Sequence, residues 1–101
     1  MIKTIQVYTA DQKRLKVGKI ASRYFPDGWT IHPNLLGGWR DPETGKTITE
    51  RALMLEIHNP PLFNNTETIR RLCKDIKILN NQKAVLVVEI GSDGKRLTYT
   101  I

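Results

Sequence analysis

His32, His58 and Glu56 are the side chains of this sequence most suited to acid–base or metal chemistry. Imidazole and carboxylate groups can transfer protons, and both also bind zinc. Their spacing matches no ligand signature, so the sequence predicts no metal site and no cofactor. The alternative interpretation is a set of ordinary polar residues beside a proline and a loop. Tyr8, His32 and Glu56 are therefore the candidate polar groups of a pocket.

A second candidate site is the pair Trp39 and Arg40, which directly precedes a predicted turn at 41–45. Tryptophan and arginine are enriched at the energetic centres of protein interfaces. The pair therefore predicts a partner contact near the tip of a hairpin. The alternative is that Trp39 folds back over the core beside Trp29.

A third candidate is a basic stripe, in which Lys16, Lys19 and Arg23 lie three and four residues apart on one face of a predicted helix. The chain has a formal net charge of +6 and a pI of about 9.7. A positive field attracts phosphates, acidic proteins and anionic lipid surfaces. The stripe predicts contact with a phosphate backbone or another partner, whereas the alternative is a solvated helix face. No aromatic residue interleaves it, which argues against base stacking there.

Hydrophobic periodicity predicts five strands and two helices. Strict alternation of apolar and polar residues indicates a first strand with one buried face. Thr9 or Asp11 is expected to cap the first helix, in which Gly18 predicts a close helix–sheet contact. Asn64, with Glu67 three residues later, predicts the start of the second helix. The predicted strands span 2–8, 29–40, 46–57, 84–90 and 97–101, and the helices end near residues 24 and 79.

Strands 2 and 3 are predicted to form a long β-hairpin about the turn at 41–45. Proline followed by glycine in such a run favours a turn, because proline presets φ and glycine accepts a positive φ. Pairing about this turn places Trp29 opposite Ile57. Pro33 cannot donate a ladder hydrogen bond, so the second strand is predicted to lie at a sheet edge or to contain a bulge.

The element order β-α-β-β-α-β-β predicts a single α+β domain over residues 1–101, of ferredoxin-like type. Right-handed crossovers place both helices on one face of an antiparallel sheet of order 4-1-3-2, with the added C-terminal strand beside strand 4. The other face has no helix to cover it, and a second copy of the chain is the expected cover, as a homodimer. The residues predicted on that open face are Gln6, Tyr8, Thr30, His32, Met54, Glu56, Val85 and Val87.

RNA-recognition domains share this topology and stack bases on aromatic residues of strands 1 and 3. Tyr8 could serve on strand 1, but the third strand contains no aromatic residue. The likeness is therefore one of topology only, and a shared fold does not imply a shared function.

Short motifs in the middle of the chain resemble a family of small uncharacterised bacterial proteins. They are Gly28-Trp29-Thr30, Gly38-Trp39-Arg40, Glu50 and Leu53. The resemblance implies a ferredoxin-like β-α-β-β-α-β fold and dimerisation. It implies no catalytic residues.

Composition narrows the remaining classes of function. Cys73 is the single cysteine, so no internal disulfide can form, and no apolar run is long enough for a membrane helix. We expect a cytoplasmic protein that does not enter membranes. The favoured hypothesis is a small non-enzymatic binding or regulatory module that contacts a protein or nucleic acid, such as a phage or plasmid inhibitor of a host factor. The alternatives are a small dimeric α/β-barrel enzyme or ligand-binding protein with a pocket on the open face, and a sequence-independent nucleic-acid binder.

Overall fold

A computed structural model describes residues 2–60 and 65–101. The strands form one antiparallel sheet of order β2-β3-β1-β4-β5, and both helices contribute to a single core against it. The predicted ferredoxin-like α+β fold with an added C-terminal strand is confirmed. In chain order the elements are β1 (Ile2–Ala10), α1 (Arg14–Tyr24), β2 (Trp29–Arg40), β3 (Thr47–His58), α2 (Asn65–Asn80), β4 (Leu86–Gly91) and β5 (Arg96–Thr100).

The hydrophobic core lies between the helices and one face of the sheet. Alternate residues of β1 and β3 point into it, as the two-residue period of a strand requires. Residues three and four apart on each helix cover them, because those spacings share one helix face. The fully buried large side chains are Ile5, Val7, Val17, Leu53, Leu55, Ile57, Ile69, Leu72, Cys73, Ile76, Val85 and Val87.

The β2–β3 hairpin has the predicted register, with Trp29 opposite Ile57. Gly45 closes the turn at a φ of 72°, a conformation that side chains other than glycine rarely adopt. β2 is an edge strand, and its pairing with β3 shifts between His32 and Leu35. Both predictions made from Pro33 are therefore confirmed, because the strand is at the edge and also contains a bulge.

The start of α1 differs from the prediction, since neither Thr9 nor Asp11 caps it. Lys13 occupies the N-cap position, without a side-chain cap. Thr9 belongs to β1, and its hydroxyl accepts a hydrogen bond of 2.8 Å from Nδ2 of Asn80. Asp11 instead accepts two hydrogen bonds from Arg14 and one from the backbone N–H of Asn34. The carboxylate thus joins the helix to the bulge in β2.

The end of α2 follows the prediction, because Asn81 adopts a positive φ of 51° directly after the helix. The predicted capping residue Asn64 lies outside the described residues. Within 2–60 and 65–101, no helix is both long enough and apolar enough to cross a membrane.

Candidate ligand site on the open face of the sheet

The face of the sheet opposite the helices carries a chain of polar side chains. Register places Gln6 opposite Glu56, and Tyr8 opposite Met54. Residues opposite each other in an antiparallel pair point to the same side, so these four share the open face. His32 also pairs with Met54, from the β2 side, and therefore joins them.

The prediction for β4 was wrong by one position. Val85 and Val87 are buried beneath the helices, and the open face instead carries Leu86, Val88 and Ile90. The run at 84–90 is apolar at every position except Glu89, and Glu89 pairs with the core residue Ile5, so the sequence pattern does not indicate which set points inward.

Glu56 is the centre of the polar group, which we call the open-face cluster and define as Gln6, Tyr8, Thr30, His32, Glu56 and His58. Its Oε1 lies 3.7 Å from Nε2 of His32 and 3.6 Å from Nε2 of His58. Its Oε2 accepts a hydrogen bond of 3.2 Å from Nε2 of Gln6. The side chain of Glu56 is only 21% exposed, so the carboxylate is held between strands rather than free in solvent.

Two further contacts extend the cluster along the sheet. The Tyr8 hydroxyl donates a hydrogen bond of 3.4 Å to Oε1 of Gln6, which links it indirectly to Glu56. On the other side, Oγ1 of Thr30 lies 3.2 Å from Nε2 of His58. The predicted pocket residues Tyr8 and Glu56 are therefore linked by hydrogen bonds through Gln6, and His32 lies beside them at 3.7 Å from Glu56. Such a group can orient a polar ligand and exchange protons with it.

Sequence reasoning missed two members of the cluster as site residues, Gln6 and Thr30. Strand alternation placed both on the open face, but neither residue type suggests chemistry by itself. Gln6 matters because its amide both accepts from Tyr8 and donates to Glu56. The cross-strand pair of Gln6 with Glu56, readable once the register is fixed, was the signal that could have identified it.

An apolar surface lies beside the cluster on the same face. Val88 pairs with Gln6, and Leu86 pairs with Tyr8. Leu86 is 40% exposed although it lies in a strand near the middle of the sheet. The cluster is therefore a polar group at the border of an apolar patch, which is the usual composition of a small-molecule site.

The hairpin beyond the bulge, residues 35–52, extends this face, and we call it the arm. The bulge adds one residue to β2, so Leu35 and Trp39, which pair with Ala52 and Ile48, lie on the same side as Met54. Trp39 is 49% exposed and does not fold back over the core.

Trp39 and Arg40 do not form a joint site. Because adjacent strand residues point to opposite sides, Arg40 projects from the other surface of the arm.

The basic stripe lies on the opposite side of the molecule. Lys16, Lys19 and Arg23 project from α1 into a groove of about 380 Å³ between the two helices. The helices separate this groove from the open face, so the two groups of candidate residues belong to different sites.

The described residues contain no group of three or more His, Cys, Asp or Glu side chains arranged to hold a metal ion. Cys73 is buried on α2, and burial raises the pKa of its thiol to about 12, so it is not poised as a nucleophile.

Comparisons with known proteins define the fold and leave the function open. No family model and no curated protein matches this chain. Among solved structures, a phage SAM lyase in complex with S-methyl-5'-thioadenosine has a TM-score of 0.71 and 16% identity, covering 97% of this chain and 87% of that chain.

Two nucleotide-bound proteins are also similar in structure. CPII, a nitrogen regulatory PII-like protein from Thiomonas intermedia K12 bound to ADP, AMP and bicarbonate, has a TM-score of 0.54 and 14% identity, covering 99% of this chain and 91% of that chain. The GlnK–ATP complex of B. subtilis has a TM-score of 0.50 and 18% identity, with coverages of 99% and 81%. At these identities the likeness is one of fold, and it places the chain in the ferredoxin-like class.

Proposed function

We propose that this chain binds an adenosine-containing small molecule at the open-face cluster, and that the ligand is S-adenosylmethionine (SAM). The carrying observation is the carboxylate of Glu56, held between two imidazoles and Gln6 at the border of an apolar surface. A purine ring needs a flat apolar surface, and ribose hydroxyls need acceptors such as a carboxylate. The open face offers both within neighbouring strands.

The structural neighbours support the choice of an adenosine ligand. The complexes described above contain S-methyl-5'-thioadenosine in one case and ADP, AMP or ATP in the others. All of these ligands share an adenosine group. They belong to those proteins, and they enter the proposal for this chain only through the common fold.

The charge of the cluster favours a sulfonium ligand over a phosphate. Glu56 is the one acidic residue of the cluster, and its carboxylate would repel a phosphate while attracting the sulfonium cation of SAM. A phosphate site would instead need cationic side chains or a helix N-terminus.

The reaction we propose is cleavage of SAM as by a lyase, without water. The bond between sulfur and the methionine portion breaks, and its electron pair stays on sulfur, which leaves as the neutral thioether S-methyl-5'-thioadenosine. Glu56 would hold the sulfonium and accept the proton from the carbon next to the one that separates from sulfur. The electron pair of that C–H bond forms a carbon–carbon double bond, so the methionine portion leaves as 2-aminobut-3-enoate. Tyr8 and His32 would orient the ligand by hydrogen bonding.

The test is incubation of the purified protein with SAM, followed by chromatography for S-methyl-5'-thioadenosine. Glu56→Gln should lower the rate of product formation by about 100-fold or more, because it removes the base while keeping the shape. Glu50→Gln, on the exposed part of β3, is the matched control and should leave the rate unchanged. No product and no calorimetric binding of SAM or S-methyl-5'-thioadenosine by the wild type would refute the proposal.

Self-association is part of the same proposal. Leu86 on the open face and Trp39 and Ile48 on the arm are exposed apolar side chains, which a second copy of the chain would cover, as in the homodimer predicted from sequence. The ligand would then lie between copies and be shielded from water. A cytoplasmic location, as predicted from the single cysteine, is also part of the proposal.

A second candidate function is the non-enzymatic binding module favoured from the sequence, a phage or plasmid inhibitor whose partner is a host factor. Exposure of Trp39 at 49%, with Leu35 and Ile48 at 36% each on the same side of the arm, favours it, because monomeric proteins rarely leave such residues clustered in solvent. Under this function, Trp39→Ala would abolish capture of the partner, and neither the variant nor the wild type would bind an adenosine ligand.

A further inference from the structure

We propose that the groove between α1 and α2 binds an acidic, amphipathic peptide segment of another protein. This helix groove, lined by Lys16, Lys19, Ile20, Arg23, Asp75, Ile78 and Leu79, lies on the opposite surface from the open-face cluster. The inference is therefore independent of the ligand proposed for that cluster.

The groove has a fixed shape because both ends of α1 are tied to α2. At one end, Lys13 donates a hydrogen bond of 3.0 Å from Nζ to the carbonyl of Leu79. At the other end, the Tyr24 hydroxyl donates to Asp75 at 2.6 Å, and Arg23 donates to the same carboxylate at 3.3 Å. A preformed groove binds a segment at a lower entropic cost than one that must open.

The charge of the groove is positive. Arg23 and Tyr24 already bind Asp75, which is its one acidic residue. Among the described residues, Lys16 and Lys19 take part in none of the ion pairs. Two lysines on one side of the groove are therefore available to carboxylates of a partner, which gives charge complementarity with an acidic segment.

The apolar side chains of the groove favour a peptide over a nucleic acid as its ligand. Ile20 and Leu79 line the groove, and Ile78 is 72% exposed beside them. Phosphate contacts use cationic and polar groups and gain nothing from aliphatic side chains, and the groove has no aromatic residue on which a base could stack. An amphipathic segment would bury its apolar residues against these three side chains while its carboxylates meet the lysines.

The test uses fluorescence anisotropy with a labelled peptide of about 15 residues, a length at which helices are marginal in water. In this peptide, leucines occupy positions at helical spacing, and glutamates occupy the positions beside them. A scrambled peptide of the same composition and a short DNA duplex are the comparison probes. The double variant Lys16→Glu/Lys19→Glu should weaken binding of the amphipathic peptide by about tenfold.

The matched control is Lys83→Glu/Lys95→Glu, which changes the net charge equally at exposed positions outside the groove. It should alter affinity by less than about twofold, and Ile78→Ser should weaken binding by about fivefold through loss of apolar contact. Circular dichroism checks that each variant is folded. The proposal would be overturned if the two charge variants weakened binding equally. It would also be overturned if the scrambled peptide bound as tightly as the amphipathic one, or if the duplex bound more tightly.

Discussion

Gly18 of α1 packs directly against the indole ring of Trp29 in β2. A Cβ atom built on Gly18 would lie 2.8 Å from Cη2 of Trp29, closer than real contacts allow. The ring cannot easily move away, because its Nε1 donates a hydrogen bond of 3.0 Å to Oγ of Ser22. The absence of a side chain at Gly18 therefore sets the distance between helix and hairpin.

Gly18→Ala should lower the free energy of unfolding by about 1–2 kcal/mol. Overpacking destabilises a fold by about 1–3 kcal/mol, and the higher helix propensity of alanine offsets only part of that destabilisation. Urea unfolding measures the difference. Gly28→Ala is the control, since a Cβ there would meet nothing within 4 Å. A Gly18 variant as stable as the wild type would mean that the contact does not constrain the helix.

The contribution of Asp11 to the stability of the fold should be lost in acid. Its hydrogen bond from Arg14 lowers the pKa of the carboxyl below the ordinary 3.8, and its side chain is only 1% exposed. A carboxyl with a lowered pKa stabilises the fold above its ordinary pKa and loses that contribution as the pH falls through the lowered value. Asp11→Asn should therefore reduce the urea midpoint at pH 7 and match the wild type more closely near pH 3.

The control for this experiment is Asp27→Asn, at an exposed position before β2. It should leave the urea midpoint unchanged at both pH values. A constant difference between the wild type and Asp11→Asn across the whole pH range would show that the effect comes from geometry and not from ionisation.

Leu86→Lys should disrupt self-association. The leucine is 40% exposed on the open face, and an unpaired charge there would be desolvated if a second copy covered it. Multi-angle light scattering should show the mass falling to that of a single chain. Leu97→Lys, at an exposed leucine that pairs with Glu89 and so lies on the other side of the sheet, should leave the mass unchanged. A wild type that is already monomeric would contradict the expectation.

Cys73 should be unreactive in the folded protein. Burial raises the pKa of its thiol to about 12, so almost no thiolate forms at pH 8, and the sulfur is also inaccessible. A thiol reagent such as dithionitrobenzoate should react only after addition of guanidinium chloride. Because the chain has one cysteine, the signal reports this site alone. Rapid reaction of the native protein would show that α2 opens readily.

Much of the fold could be predicted from the sequence because local signals agreed with one another. The turn at 41–45 fixed the register of the hairpin, and Pro33 indicated an edge position or a bulge, of which the structure has both. Alternation in β1 and β3 then placed Tyr8 and Glu56 on the same face. These signals are local, and each has a steric cause that needs no knowledge of the tertiary structure.

Other features depended on tertiary contacts and could not be predicted. Asp11 has the right type to cap a helix, but the bulge in β2 offers it the N–H of Asn34 and Arg14 offers a bidentate partner. The inward set of β4 residues was ambiguous because the run is apolar on both faces and its one charged residue, Glu89, lies on the inward side. The helix groove requires two helices distant in sequence, so the basic stripe predicted only one of its sides.

The bulge at 33–34 separates the length of β2 from the surface that the arm presents. Across the bulge β2 advances three residues while β3 advances two. Removing Asn34 alone would therefore leave a regular ladder, with Trp39 still on the open face and Arg40 still on the other side. In the evolution of this fold, one residue would be gained or lost at that point without changing the surface offered to a partner.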